Sequence, residues 1–193
     1  AAMPGYRVLE VPASDLDQPG HLHFLQQELT RCADLGFGLV AGRSQVERRK
    51  IGFLRWQYIA RFLLEQRPQT PEDVTGLEYV AVHVPLVGKP AGDATLYARD
   101  ATELLGGYGR YGYKFVEALA WSESWLLVLE RPFGQPGATH KYEVVVADRR
   151  EIDRGKPAPW PDDRQTLAML PTTTHLCALQ EIPPRQRGSG DAS

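Results

Sequence analysis

The stretch YKFVEALAWSESWLLVLER, residues 113–131, decides the fold class. Both halves are rich in β-branched and aromatic residues, and the Ser-Glu-Ser between them is typical of a turn, so the stretch predicts a β-hairpin. A strand that directly follows a strand breaks the strand–helix alternation of a doubly wound parallel fold. The sequence therefore predicts an α+β fold: a mainly antiparallel, twisted sheet with two to three helices on one face.

The elements before this hairpin occur in an order that the beginning of the chain repeats. Alternating apolar residues predict a strand over Glu78–Val87, and a modest helix follows over Ala94–Leu105, ended by a pair of glycines. Near the N-terminus, a strand over Tyr6–Val11 precedes a helix over His21–Leu35 and a short strand over Phe37–Ala41. This order is compatible with two diverged βαββ units.

The segment Gln45–Gln66 is predicted to be a helix, because Leu54, Tyr58 and Phe62 follow one another at a spacing of four. Residues 43–67 hold seven basic and two acidic side chains, a local excess of five positive charges. Long arginine side chains often cover a solvated helix face. The alternative is a face that binds a partner, and the candidate partner-binding residues are Arg48, Arg49, Arg55 and, in a separate Pro-rich loop, Trp160.

The rest of the chain predicts more short strands and then a tail. Strands are expected over His140–Ala147, Leu167–Leu170 and His175–Ile182, with a charged loop over Asp148–Asp163. From residue 183 the composition becomes Pro, Arg, Gln, Gly and Ser. We therefore expect a single α+β domain over residues 1–182 and a disordered tail over 183–193.

Composition excludes several classes of function. The formal net charge is −2, which argues against nucleic acid as a partner, and no apolar run is long enough to span a membrane. No signal peptide is expected at the N-terminus. Cys32 and Cys177 cannot form a disulfide framework, and two buried, reduced thiols fit a cytoplasmic location.

Motifs for catalysis or cofactor binding are weak. The glycines of GYGRYG, residues 107–112, follow a predicted helix and precede a strand, which is the reverse of a dinucleotide-binding site. No Gly-x-Ser-x-Gly sequence and no zinc-ligand spacing occur. We therefore predict no cofactor and no metal, and we assign no catalytic residue.

Two sets of residues suggest alternative sites. Tyr79 and His83 share one face of their predicted strand, and His140 and Tyr142 share a face of another. If the two strands are neighbours, the four side chains line a polar small-molecule pocket. Separately, the sequence around Tyr113 and Phe115 partly matches the strand motif on which RNA-recognition modules stack bases.

Three functions remain open at this point. The first is a non-catalytic module that binds a protein partner or assembles with itself through the basic segment, a sheet edge or Trp160. The second is a small-molecule enzyme or sensor whose pocket surrounds His83 and His140. The third is RNA binding through Tyr113 and Phe115. The absence of a catalytic signature favours the first.

Overall fold

The computed structural model describes residues 5–16, 19–68, 76–85, 94–121, 124–134 and 137–184. The helices are α1 (Pro19–Asp34), α2 (Ala94–Arg110) and α3 (Arg149–Asp153). The strands are β1 (Tyr6–Pro12), β2 (Phe37–Leu39), β3 (Gln45–Lys50), β4 (Trp56–Gln66), β5 (Leu77–Pro85), β6 (Lys114–Trp121), β7 (Ser124–Pro132), β8 (Lys141–Asp148), β9 (Gln165–Pro171) and β10 (His175–Ile182). The described chain is therefore sheet-rich and α+β, as predicted.

The strands form three antiparallel sheets within the described residues, so the prediction of one larger sheet is wrong. The first sheet has the order β1-β4-β2, with β3 also paired to β4. The second has the order β5-β7-β6, and the third β8-β10-β9. In each sheet, the first strand is followed along the chain by a helix and then by the remaining strands. The last of these strands always lies in the middle of the sheet. The βαββ order thus occurs three times, with β2 and β3 together taking the place of one strand in the first sheet and with α3 the helix of the third.

The same residue types occupy matching positions in the three sheets. In each, a tyrosine near the start of the outer strand lies opposite a glutamate near the end of the central strand. The pairs are Tyr6 with Glu65, Tyr79 with Glu130, and Tyr142 with Glu181. These pairs give a common register, so positions can be compared from one sheet to the next.

A glycine with positive φ follows each helix at the same distance. Gly36, Gly112 and Gly155 have φ of 85°, 83° and 84°, and each lies two residues after the last residue of its helix. Only glycine adopts this left-handed backbone without a steric penalty, so all three helices end in the same way.

The second sheet separates two apolar cores. One face of this sheet, with Tyr79, Leu126 and Val128, packs against α1 and the first sheet. Its other face, with Trp125 and Leu127, packs with α2 and the third sheet. The two long helices therefore contact different cores, and the expectation that the helices lie together on one face is wrong.

The segment Gln45–Gln66 is not a helix, because it forms β3 and β4. Ala60, Phe62 and Leu64 are fully buried at alternate positions, which is the period of a strand. A spacing of four residues is also two periods of a strand, so the pattern that predicted a helix fits both structures. Gly52, with φ of 98°, lies in the connection between the two strands.

Three further differences concern the ends of elements. The helix predicted to end at Leu105 continues to Arg110 through its glycines, and α3 lies inside the predicted loop over Asp148–Asp163. A Cβ at Gly109 would come within 2.2 Å of the His140 carbonyl oxygen, so a glycine in α2 allows β8 to approach the helix. Residues 86–87 of the predicted strand and 185–193 of the predicted tail lie outside the described residues.

Candidate functional site

The connection between β3 and β4 carries the most exposed large apolar side chains that the structure describes. Phe53 and Leu54 are 88% and 86% exposed, and Ile51, Trp56 and Tyr58 are also exposed. We call this group, together with Arg48, Lys50 and Arg55, the hairpin tip. Apolar side chains gathered at one exposed place are typical of interaction sites.

Cationic side chains accompany the apolar residues of the hairpin tip. The Arg48 guanidinium carbon lies 4.7 Å from the centroid of the Trp56 ring, and the Lys50 ammonium lies 5.9 Å from that of Phe53. Both distances fit cation–π contacts. Residues 48–58 contain no carboxylate. The hairpin tip is therefore both apolar and basic.

Arg49, predicted to share a face with Arg48 and Arg55, points to the opposite side of β3, because side chains alternate along a strand. Its guanidinium lies 2.7 Å from carboxylate oxygens of both Glu10 and Glu47. Arg61 contacts the same two carboxylates at 3.2 and 3.0 Å. Hydrogen bonds from Arg49 hold the pKa of Glu10 and of Glu47 below the usual range. Arg49 therefore belongs to this four-residue ion network and not to the hairpin tip.

The four residues of the predicted pocket are not brought together, because β5 and β8 belong to different sheets. His83 lies on β5 opposite Leu126. Tyr79 is only 2% exposed and its hydroxyl accepts a hydrogen bond of 3.2 Å from the Leu39 amide, while burial raises its pKa. Tyr79 thus joins the second sheet to β2 and packs in the first core.

His140 and Tyr142 do share a cleft, on the side of β8 that faces α2. The cleft has a volume of about 520 Å³ and is lined by Thr102, Glu103, Gly106, Arg110, His140, Lys141, Tyr142 and Ile182. The His140 ring stacks on Tyr142 with centroids 6.1 Å apart, and its Nδ1 lies 2.7 Å from a Glu181 oxygen. The sequence found two of these residues and missed the contribution of α2.

Tyr113 and Phe115 both contribute to the second core. The Tyr113 hydroxyl donates a hydrogen bond to Glu78, the Arg131 guanidinium carbon lies 4.5 Å from the ring centroid, and burial raises the tyrosine pKa to about 12. Since Arg131 occupies one face of the ring and the core takes up the rest, the geometry gives no support to base stacking there.

The remaining candidates offer less chemistry. Trp160 is half-buried in the segment that joins α3 to β9. Cys177 is 1% exposed and burial raises its pKa to about 11, so the thiol is protonated at neutral pH and is a poor nucleophile. In the part of the chain that the structure describes, no three or more His, Cys, Asp or Glu side chains are grouped to hold a metal ion.

Comparisons with known proteins do not assign the chain to a family. No family model matches the sequence, and neither the curated proteins nor the solved structures contain a significant match. None of the described helices is both long and apolar enough to cross a membrane.

Proposed function

We propose that this chain is a non-catalytic binding module that recognises an acidic segment of a protein partner through the hairpin tip. The observation that carries the proposal is the exposure of Phe53 and Leu54, at 88% and 86%. Burial of exposed apolar surface favours association, and aromatic and arginine side chains are the residues that most often dominate the energy of protein interfaces.

Charge selects the class of partner. The whole chain has a formal net charge of −2, yet the hairpin tip has three basic residues, Arg48, Lys50 and Arg55, and no acidic one. A surface of one sign attracts a partner of the opposite sign and disfavours partners of the same sign. An acidic segment that also carries aromatic or aliphatic side chains would match both properties of the hairpin tip.

Two further observations concern the cellular location of the chain and the origin of its repeated units. Cys32 and Cys177 are buried and not joined in a disulfide, which fits a protein of the reducing cytoplasm. The matching registers and helix ends of the three sheets support the descent of all three βαββ units from one ancestor, rather than of two as the sequence indicated.

Self-association and membrane binding are the competing uses of the hairpin tip.

The test uses peptides selected from a random display library on the immobilised protein. We expect selected peptides to combine Asp or Glu with aromatic or aliphatic residues. The double substitution F53S/L54S should weaken their binding by about tenfold or more, measured by fluorescence anisotropy. The matched control is F133S, because Phe133 is also exposed, at 63%. Both variants should keep the free energy of unfolding within about 0.5 kcal/mol, since they lie at the surface.

Two results would refute this use of the hairpin tip. Selected peptides that bind F53S/L54S as well as the wild type would place their site elsewhere. The other refuting result is that F53S/L54S keeps its peptide binding but loses binding to phosphatidylserine vesicles, or loses a concentration-dependent dimer seen for the wild type in analytical ultracentrifugation. A membrane or a second copy would then be the occupant.

A further inference from the structure

The edge of β8 that faces α2 presents backbone amides at every second residue, as the edge of an antiparallel strand does. The His140 amide donates to the Gly109 carbonyl at 3.0 Å, and the Val144 amide donates to Thr102 Oγ1 at 2.9 Å. The Tyr142 amide lies between them on the same edge. α2 thus provides an acceptor for the amides on both sides of Tyr142.

The edge of β5, in the second sheet, carries amides at the matching positions, and α1 covers them. The Tyr79 amide donates to Thr30 Oγ1 at 3.4 Å, and the Ala81 amide donates to Gln26 Oε1 at 2.9 Å. Tyr79 matches Tyr142 in the common register. In the earlier unit the tyrosine amide therefore has a threonine hydroxyl opposite it.

The later unit has no side chain at this position. Gly36 and Gly112 align the two helices, and Thr30 and Gly106 each lie six residues before that glycine. A Cβ at Gly106 would meet no other atom within 4 Å. The cleft therefore lies where α1 carries a threonine and α2 carries a glycine, and both Gly106 and Tyr142 line it.

Among the charged side chains that line the cleft, cations outnumber carboxylates. Arg110 and Lys141 line it with two positive charges, against one negative charge from Glu103. Glu181 holds Nδ1 of His140, which leaves Nε2 of that ring for another partner. Cationic groups and a backbone N–H together suit an anionic acceptor, and carboxylates accept such hydrogen bonds strongly.

We infer that the cleft between α2 and β8 is a binding site for a small molecule that carries a carboxylate. The carboxylate accepts from the Tyr142 amide and lies near Arg110 and Lys141. The rest of the molecule occupies the space beside Gly106 and contacts Ile182. The site is separate from the hairpin tip, and the inference does not depend on the function proposed above.

The test follows backbone amide shifts by NMR on the full chain while sodium benzoate is added at millimolar concentration. Benzamide, which has the same shape without the charge, is added in a parallel titration. Benzoate should shift the Tyr142 and Gly106 amides, and benzamide should not. G106T should abolish the shift of Tyr142, because the threonine both fills the cleft and bonds that amide as Thr30 bonds Tyr79.

The matched control is G107T, because a Cβ at Gly107 also meets no other atom and Gly107 does not line the cleft. Benzoate should bind G107T within about twofold of the wild type, and R110Q about tenfold more weakly. If G106T does not fold, R110Q still tests the inference. The inference is wrong if benzoate leaves the Tyr142 amide unshifted, if benzamide binds equally well, or if a folded G106T or R110Q binds like the wild type.

Discussion

Of three glycines near the end of α2, one controls how closely the helix approaches β8. Gly106, Gly107 and Gly109 lie within one turn of the helix, yet their surroundings differ. A Cβ would meet open space at the first two and the carbonyl group of His140 at the third. Glycine in a helix lowers the free energy of unfolding, because the unfolded chain has more conformational freedom at that residue. A helical glycine that packing does not require therefore reduces stability without a compensating contact.

These surroundings predict opposite effects of the same substitution. G107A should raise the free energy of unfolding by about 0.5–1 kcal/mol, the difference in helix propensity. G109A should lower it by about 1–3 kcal/mol, since the added methyl group forces β8 away from the helix. Urea denaturation of the two variants checks both signs. A stabilising G109A would show that β8 does not need the close approach.

The tyrosines show what the sequence predicts at the scale of the residue and what it does not. The sequence predicts Tyr79 and Tyr142 as polar residues of one pocket. In the structure each hydroxyl accepts a hydrogen bond from a strand amide of the preceding unit, Leu39 for Tyr79 and Phe115 for Tyr142. The sequence does contain the signal. YRVLEVP at 6–12 and YVAVHVP at 79–85 share the tyrosine, the alternation and the final proline. The sequence pattern does not show what the tyrosines contact, because each hydroxyl bonds to a strand of another sheet that is distant along the chain.

At the scale of the element, each long helix covers the edge of the first strand in the next unit. α1 does so for β5 through Gln26 and Thr30, and α2 for β8 through Thr102. A covered edge cannot pair with another chain, which removes a common cause of aggregation. The helices thus have a second role besides filling the cores.

Removing one of these side chains should expose a single edge. Q26A should speed hydrogen exchange at the Ala81 amide and leave Val144 unchanged, while T102V should do the reverse. Each substitution should cost about 1–2 kcal/mol, because a largely buried amide loses its acceptor. Hydrogen exchange followed by NMR measures both amides in one sample. Equal acceleration at both positions in either variant would argue against edge covering by separate helices.

Some elements are predictable from the sequence and others are not. His175–Ile182 was predicted with its observed bounds, and α1 within two residues, because period and end signals agree there. β3 and β4 were missed because a spacing of four fits both periods, and because the glycine that marks the turn lies among apolar residues. Since the hairpin tip is that turn, the same error concealed its apolar residues Phe53 and Leu54, although Arg48 and Arg55 are among the residues that the sequence suggests for partner binding.

At the scale of the whole molecule, the central strand β7 belongs to both cores. Leu126 and Leu127 are adjacent and fully buried, yet they face different cores. Loss of either core removes support from the second sheet and therefore from the other core. The described chain should then unfold as one cooperative unit, although its sheets are separate.

This coupling can be measured with two neighbouring substitutions. L126A and L127A should each lower the free energy of unfolding by about 2–5 kcal/mol. Each should also lower the urea midpoint of amides in the first and third sheets equally, with Phe62 and Leu179 as reporters in NMR. A variant that shifts only the midpoint of the sheet nearest to it would show that the cores unfold independently.

The threefold order of units could be predicted only in part. Two βαββ units were suggested because α1 and α2 are long enough to show helical periodicity. The third was missed because α3 has five residues and a long polar segment separates it from β9. The division into three sheets depends on long-range pairing, for which the spacing of apolar residues in a single sequence contains no information.

The ion network on the first sheet has a consequence for copies of the molecule in solution. Arg61 occupies the position that Leu126 and Cys177, both buried, hold in the other sheets. A protein built from units that stack face to face risks endless polymerisation, because the end of one molecule resembles the surface on which another unit would grow. Charges on that end make growth costly, since each added molecule would have to desolvate them. We therefore expect the network to disfavour growth of the stack at this end and to add little to the stability of the single molecule, because its side chains are partly exposed.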